Sequence, residues 1–412
     1  MITGLGVVAP SGIGVDSFWS ALVQGRSGIR KITRFDASSY PCQVAAEVPD
    51  FDPTDYMDPK NARRLDRFAQ LCFASASMAL NDSEIEIPYR DPLSIGVFVG
   101  TATGGVESHD KQHLIFVEKG LKRVAPYTTR AVATHSAGGA LSEYFGLKGP
   151  NTTVSSGCNS GLDACYLAYN AIRLGDANVM VVGAGEAPIT PFGLGAFSAV
   201  GVLSTRNGDP KAAVRPYDAE ATGMVLGEGG AGIVIEELHH ALDRGAKIYG
   251  EILGYASVSE ANLWSGKMDI ETISKAFEIA LRNSSLSPMD VDYINAHGNG
   301  ILTYDLAETE AIKKAFGEYA YQIPLSSIKP VTGQSLSPTG IYQIIASLLA
   351  MKEGVIPPTL NHEKPAPGCD LNYVPNHPIK KTVDVALMNA HGFGGRHTVL
   401  SLSRVDGHKG RT

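Results

Sequence analysis

The sequence predicts an α/β protein built from two halves, and three observations carry that expectation. Short apolar runs recur and each closes on glycine or a turn: S-I-G-V-F-V-G over 94–100, N-V-M-V-V-G-A-G over 178–185, and 231–235 within G-G-A-G-I-V-I-E-E. Runs of that length, rich in Val and Ile, read as buried strands. Between them lie stretches with apolar residues at helical spacing, and such alternation is the mark of an α/β fold. Finally, a strand, a chemically capable residue and a helix follow one another once in each half, at Cys158 and again at His297.

In chain order, M-I-T-G-L-G-V-V-A-P reads as a strand running into a turn, and helices are predicted over 64–81, 134–145, 161–174, 270–283, 304–316 and 340–353. V-D-Y-I-N-A, over 291–296, reads as the strand that delivers His297. The Pro-, Asp- and Asn-rich stretches 207–217 and 361–378 read as surface loops. A division near residue 245 separates a half carrying Cys158 (1–245) from one carrying His297, Gln334 and the Gly-Phe-Gly-Gly loop (246–412). The halves share no visible sequence repeat.

Composition narrows the function. A chain of 412 residues, 44% hydrophobic and 19% charged, can bury a large core. Its net charge of -7 and the lack of a long basic stripe argue against a nucleic-acid partner. Five scattered cysteines without a C-x-x-C pair suggest neither a disulfide framework nor a structural zinc site, and they fit a reducing compartment. The N-terminus lacks the pattern of a secretory leader and no apolar stretch reaches the length of a membrane span, so a cytoplasmic protein without membrane insertion is expected.

The chemistry concentrates in a few loops. In N-T-T-V-S-S-G-C-N-S-G-L-D-A, Cys158 sits at a glycine-flanked turn before a helix, where free N–H groups and the helix dipole favour a thiolate nucleophile. Cys42, Cys72, Cys165 and Cys369 lack that setting and read as small hydrophobes. His297, in Y-I-N-A-H-G-N-G, ends a strand, where α/β folds place ligand groups. The other histidines, including His109, His113, His239, His240 and His408, read as solvated or packing residues. G-F-G-G at 392–395 offers backbone donors, and K-P-V-T-G-Q places Gln334 in a further loop.

Together these motifs resemble the beta-ketoacyl synthases, condensing enzymes of fatty-acid and polyketide assembly. The likeness rests on V-S-S-G-C-N-S-G, N-A-H-G and N-A-H-G-F-G-G, and on D-P-K-N-A-R-R-L-D-R-F, F-G-L-K-G-P, L-S-T-R-N, R-P-Y-D, G-E-G and K-P-V-T-G in that order. It implies a thiolase-like fold, two pseudo-duplicated halves in five α-β-α-β-α layers. It further implies that Cys158 takes an acyl chain from acyl carrier protein as a thioester, before decarboxylative condensation with a malonyl group on a second carrier. The backbone N–H groups of Cys158 and Phe393 would form the oxyanion hole, and Phe393 would also gate the pocket. Lys329 and Glu308 would be a charged pair behind the histidine. No resident cofactor is implied, since the substrates ride on phosphopantetheine; Asn299, Thr332, His391 and Thr103 fall where the arm or acyl chain is contacted.

Departures from the family pattern cluster around the same pocket. Gln334 stands where a second histidine is usual, so an amide donor replaces a proton-transfer ring. Asn299 and Ile301 replace threonines of A-H-G-T-x-T, S-P-T-G (337–340) replaces G-A-A-G, and Gln343 replaces a frequent glutamate. His391 replaces a phenylalanine, and Thr103 replaces a bulky apolar residue of the acyl tunnel. These changes point away from ordinary saturated fatty-acid elongation and towards a polyketide or specialised substrate. Two other readings stand beside condensation: a non-condensing acyltransferase or cyclase, favoured by the lost histidine, and a silent partner subunit, disfavoured by the retained Cys158. The resemblance also implies a dimer, with itself or with a chain-length-factor-like subunit, contacted through 128–139. Lys60, Arg63, Arg64 and Arg67 form a basic cluster suited to an acidic carrier protein.

Overall fold

The computed structural model describes residues 1–261 and 268–405; His408 lies outside them. The first sheet contains β1 (Ile2–Ala9), β2 (Gly12–Ile13), β3 (Ile95–Gly100), β4 (Asn151–Val154), β5 (Val179–Glu186) and β6 (Gly229–Glu236), in the order β2-β1-β6-β5-β3-β4. The second contains β7 (Glu251–Ser259), β8 (Tyr293–Asn295), β9 (Leu325–Ser326), β10 (Val385–Gly392) and β11 (Arg396–Ser403), in the order β9-β8-β10-β11-β7. Apart from the short β2, the two sheets share one plan. In each, the first strand of the half pairs antiparallel with the last, the last antiparallel with the fourth, and the fourth parallel with the second, which pairs parallel with the third.

Helices complete five layers. Helix α1 (Arg67–Asp82) covers the outer face of the first sheet, together with α2 (Ser136–Phe145). Helices α3 (Ser160–Arg173) and α4 (Ser337–Glu353) lie between the sheets and pack on each other, while α5 (Ile270–Asn283) and α6 (Leu302–Phe316) lie outside the second. The buried strands alternate faces, but both faces are apolar. On β5, Met180, Val182 and Ala184 join the central core with α3 and α4, whereas Val179 and Val181 point to the α1 side. This double burial explains the near-continuous apolar runs in the sequence. Among the described residues, no helix is long and apolar enough to cross a membrane.

The predicted helices form, α5 over the expected 270–283 and the others within three residues at either end. The helix Val106–Lys119 was not foreseen, because it buries no residue fully and its V-E-S-H-D-K-Q-H sequence carries no apolar stripe. The two supposed surface loops are only partly so. Arg215 and Tyr217 end the first in the interior, and Cys369, Leu371, Tyr373 and Val374 bury the second. Polar composition concealed a tyrosine pair, Tyr217 on Tyr373, stacked with ring centroids 4.0 Å apart.

The shared plan also corrects the sequence-based pairing of Cys158 with His297. Cys158 follows the third strand of its half and precedes α3; the residue in the matching place, after β9 and before α4, is Gln334.

Candidate active site

The chain leaves β4 at Val154 and reaches Cys158 through a 3-10 turn, Gly157–Asn159, that leads into α3. Gly157 has φ 69°, a conformation that disfavours any residue with a Cβ, so the glycine beside the cysteine is conformationally required. Asn159 donates to Ala390 O at 3.0 Å and Thr398 Oγ1 at 2.9 Å, tying this turn to β10 and β11. At the end of β10, Phe393 presents its backbone N–H to the Cys158 sulfur, which also receives the N–H of Cys158 itself. Burial pushes the thiol up to about 11; Lys329 pulls it down and buried Glu186 adds to the rise. Desolvation thus opposes the thiolate that Lys329 and the two N–H groups favour.

Gln334 lies on the other central helix mouth. Its Nε2 is 3.5 Å from Cys158 Sγ, and Thr339 Oγ1 donates to its Oε1 at 3.3 Å, which orients the amide with nitrogen towards sulfur. The two helix mouths approach so closely that a Cβ on Gly161 would lie 2.3 Å from Ser337 O. Leu336, between Gln334 and α4, holds φ 52°, a strained conformation for leucine and one that accompanies functional loops.

His297 follows β8 and is 2% exposed. Glu308 accepts its backbone N–H at 2.7 Å and that of Gly298 at 2.9 Å, and Lys329 Nζ donates to its carbonyl oxygen. Glu308 and Lys329 thus grip the main chain of His297 from both sides rather than forming the direct pair expected. The His391 backbone N–H points at His297 Nδ1 at 3.3 Å and the Asn299 amide nitrogen faces Nε2 at 3.2 Å, so a donor meets each nitrogen of the ring. Burial, followed by Lys329, His391 and His397, holds the ring well below the usual imidazole range.

A cavity of about 290 Å³ opens at the sulfur, lined by Ala102, Thr103, Cys158, Phe197, Leu336 and Phe393 among others. Phe393 is 38% exposed, with its ring 6.2 Å from Phe197 and 5.6 Å from Tyr304. Thr103 does line this cavity, but its hydroxyl donates to Glu186 Oε2 at 2.6 Å, so polarity is withdrawn from the lumen.

Three other expected arm contacts are differently employed. Thr332 is fully buried and donates to Gly333 O at 2.9 Å, Asn299 Oδ1 accepts from Ile301 N while its Nδ2 faces His297 Nε2 at 3.2 Å, and His391 lies in β10 with both ring nitrogens engaged by protein. Of the basic cluster, Lys60, Arg63 and Arg64 are exposed while Arg67 is bound to Glu228 at 2.7 Å. Sequence reading missed Glu186, Tyr217, Glu260, Tyr304 and His397; position at a strand end marks Glu186, Glu260 and His397, the R-P-Y-D motif contains Tyr217, and nothing local marked Tyr304. Among the described residues no group of three or more His, Cys, Asp or Glu is arranged to hold a metal ion.

Residues 1–241 match the pattern described as beta-ketoacyl synthase, N-terminal domain, and residues 249–363 match beta-ketoacyl synthase, C-terminal domain. The chain belongs to the beta-ketoacyl synthase family. This beta-ketoacyl synthase is an acyltransferase of the condensing class. It is 41% identical over 406 residues, 98% of each chain, to 3-oxoacyl-[acyl-carrier-protein] synthase 2 of Coxiella burnetii. It is 40% identical over 419 residues to the tetracenomycin polyketide synthase ketoacyl synthase alpha subunit of Streptomyces glaucescens, covering 98% of this chain and 96% of that one. Among solved structures, a type II polyketide ketosynthase in complex with its acyl-carrier protein and bound to the hexaketide superposes with a TM-score of 0.90 at 31% identity, covering 98% of each chain. The ishigamide ketosynthase/chain length factor superposes with a TM-score of 0.89 at 29% identity and the same coverage.

Proposed function

We propose that Cys158, His297 and Gln334 carry out decarboxylative chain extension on polyketide or specialised fatty-acyl substrates delivered by acyl carrier protein, in a cytoplasmic homodimer or a heterodimer with a chain-length-factor-like subunit. The observation that carries this reading is the convergence of three donors, the N–H groups of Cys158 and Phe393 and the amide of Gln334, on one buried sulfur. In the loading step the Cys158 sulfur attacks the acyl thioester carbonyl while its proton passes to the departing phosphopantetheine thiolate. The two N–H groups meet the developing oxyanion, each contributing about 3 kcal/mol in comparable sites.

The malonyl thioester then binds with its carbonyl oxygen towards the His297 ring and the Gln334 amide. Its carboxylate leaves as carbon dioxide, and the freed electron pair forms an enolate that attacks the Cys158 thioester. The C–S bond breaks, the product is longer by two carbons, and the thiolate recovers one proton from solvent. Lys329 and Glu308 hold the His297 loop in place, and Thr103 leaves room where a larger residue would narrow the pocket. Phosphopantetheine enters with the substrate, with no resident cofactor.

Gln334 also supports a second reading, acyl transfer without decarboxylation, because an amide cannot exchange a proton with substrate. Incubation with acyl-carrier protein and then malonyl-carrier protein, followed by intact mass, separates the readings. Mass gained on Cys158 and a product longer by two carbons supports condensation. Gain without extension supports the non-condensing reading, and no gain leaves a silent subunit.

A further inference from the structure

Behind His297 lies a run of side chains that the steps above do not employ. His391 and His397 face each other across β10 and β11, with their Nδ1 atoms 3.0 Å apart. His397 Nε2 is 2.9 Å from Glu260 Oε1, and Asn389 Nδ2 is 3.0 Å from His391 Nε2 while also donating to Glu308. His391 is 1% and His397 0% exposed, and the Glu260 side chain only 5%. Burying two imidazoles and a carboxyl is costly, and an apolar pair of similar volume would stabilise the strands better.

Hydrogen-bond chemistry fixes the direction of this run. The Asn389 amide nitrogen only donates, so His391 Nε2 accepts and the hydrogen of the neutral ring sits on Nδ1. His397 Nδ1 then accepts, and its Nε2–H donates to Glu260. The result is a one-way string of donors, from beside the Glu308 that holds His297 to the Glu260 carboxylate on β7's exit, and that outer carboxylate is the member with a place for one more proton. Its inner end is close to the reaction: the His297 and His391 rings are 5.3 Å apart between centroids.

We propose that His391, His397 and Glu260 are positioning residues that act through His297 as a proton-holding relay, taking up one proton from solvent as the enolate forms and releasing it when the enolate is consumed. The inference rests on the condensing reading above and deepens it. Both groups offered directly to the enolate, neutral His297 and Gln334, lack charge, so a proton drawn onto the relay supplies what they do not. The titratable and charged groups around the relay are His297, Glu308 and Lys329 on the inner side and Asp269 and Tyr304 on the outer. Burial, His397 and the Lys329 ammonium keep His391 neutral at rest, so the relay loads when an anion appears beside it.

The test compares condensation kinetics of wild type and His397→Gln across the neutral and mildly alkaline range, with Cys158 loading by acyl-carrier protein followed by intact mass as the folding control. Glutamine keeps a donor and an acceptor but holds no extra proton. The expected result is a wild-type kcat that falls as pH rises, and a His397→Gln kcat about tenfold lower and flat with pH at unchanged KM. A His397→Gln enzyme with the wild-type kcat and slope overturns the relay. If His397→Gln fails to load, Glu260→Gln is read in the same way. A wild-type protein that loads Cys158 yet forms no extended product defeats the condensing reading itself, and the relay with it.

Discussion

Cys158 and Gln334 stand at matching points of the two halves, each between the third strand of its sheet and a central helix, and their side chains meet at 3.5 Å, Nε2 to Sγ. One half contributes a nucleophile at its helix mouth and the other a neutral donor. The contact is held by the close approach of Gly161 to Ser337 and by the hydroxyl of Thr339 on the amide oxygen.

Removing the amide therefore tests the second half directly. Gln334→Ala is expected to lower the condensation kcat about a hundredfold, in line with the loss of one preorganised donor, while Cys158 still loads. Gln334→His is expected to preserve or raise condensation and to add a pH dependence that the amide lacks. Single-turnover extension assays after separate acylation check both. A large loss in Gln334→His would show that the pocket is tuned to the amide.

The buried thiol makes a second prediction. With its pKa raised to about 11, alkylation of Cys158 by iodoacetamide should quicken with each step of pH up to that value. Lys329→Met should slow alkylation at neutral pH, because the ammonium favours the thiolate. The difference should shrink above pH of about 8, where Lys329 itself loses its proton. Mass-resolved rates at Cys158 across pH check the sign.

Thr103 concerns product size. Thr103→Ile places a branched side chain in the cavity of about 290 Å³ and removes the hydroxyl from Glu186. Shorter extended products are expected from the same mixture of starters, read by mass spectrometry of carrier-bound products. An unchanged length distribution would exclude Thr103 as a wall of the acyl channel.

Glu186 makes a prediction about stability. Burial raises its carboxyl from 4.5 to about 7, against the hydroxyls of Thr103 and Thr101 and the N–H groups of Ala102 and Thr103. The folded state thus keeps this proton longer than the unfolded chain, and the contribution of Glu186 to stability is lost as pH rises from about 4.5 to about 7. Glu186→Gln removes that slope, so its stability relative to wild type should improve across this window. Denaturant melts at several pH values check it.

Sequence and structure agree where local pattern decides the outcome. The 270–283 helix carries a clear apolar face, and Cys158, Gln334 and Phe393 lie in loops marked by glycine, so their convergence was legible. The family resemblance supplied the fold that brings those loops together. What stayed hidden depended on tertiary direction. Thr332 and Thr103 are both small hydroxyl residues in glycine-rich loops, yet one is sealed on its own backbone and the other on Glu186. His397 occupies the strand position opposite His391, a pairing set by the β10–β11 register. Nor does local sequence show that desolvation at Cys158 opposes its thiolate, since burial is a property of the assembled layers.

The short strand Asn151–Val154 closes one side of the first sheet, pairs on one side only among the described residues, and runs into Cys158 four residues after its end. Its free border offers main-chain donors and acceptors to any adjoining polypeptide. A segment paired along that border would lie only four residues of chain from the sulfur while staying outside the pocket.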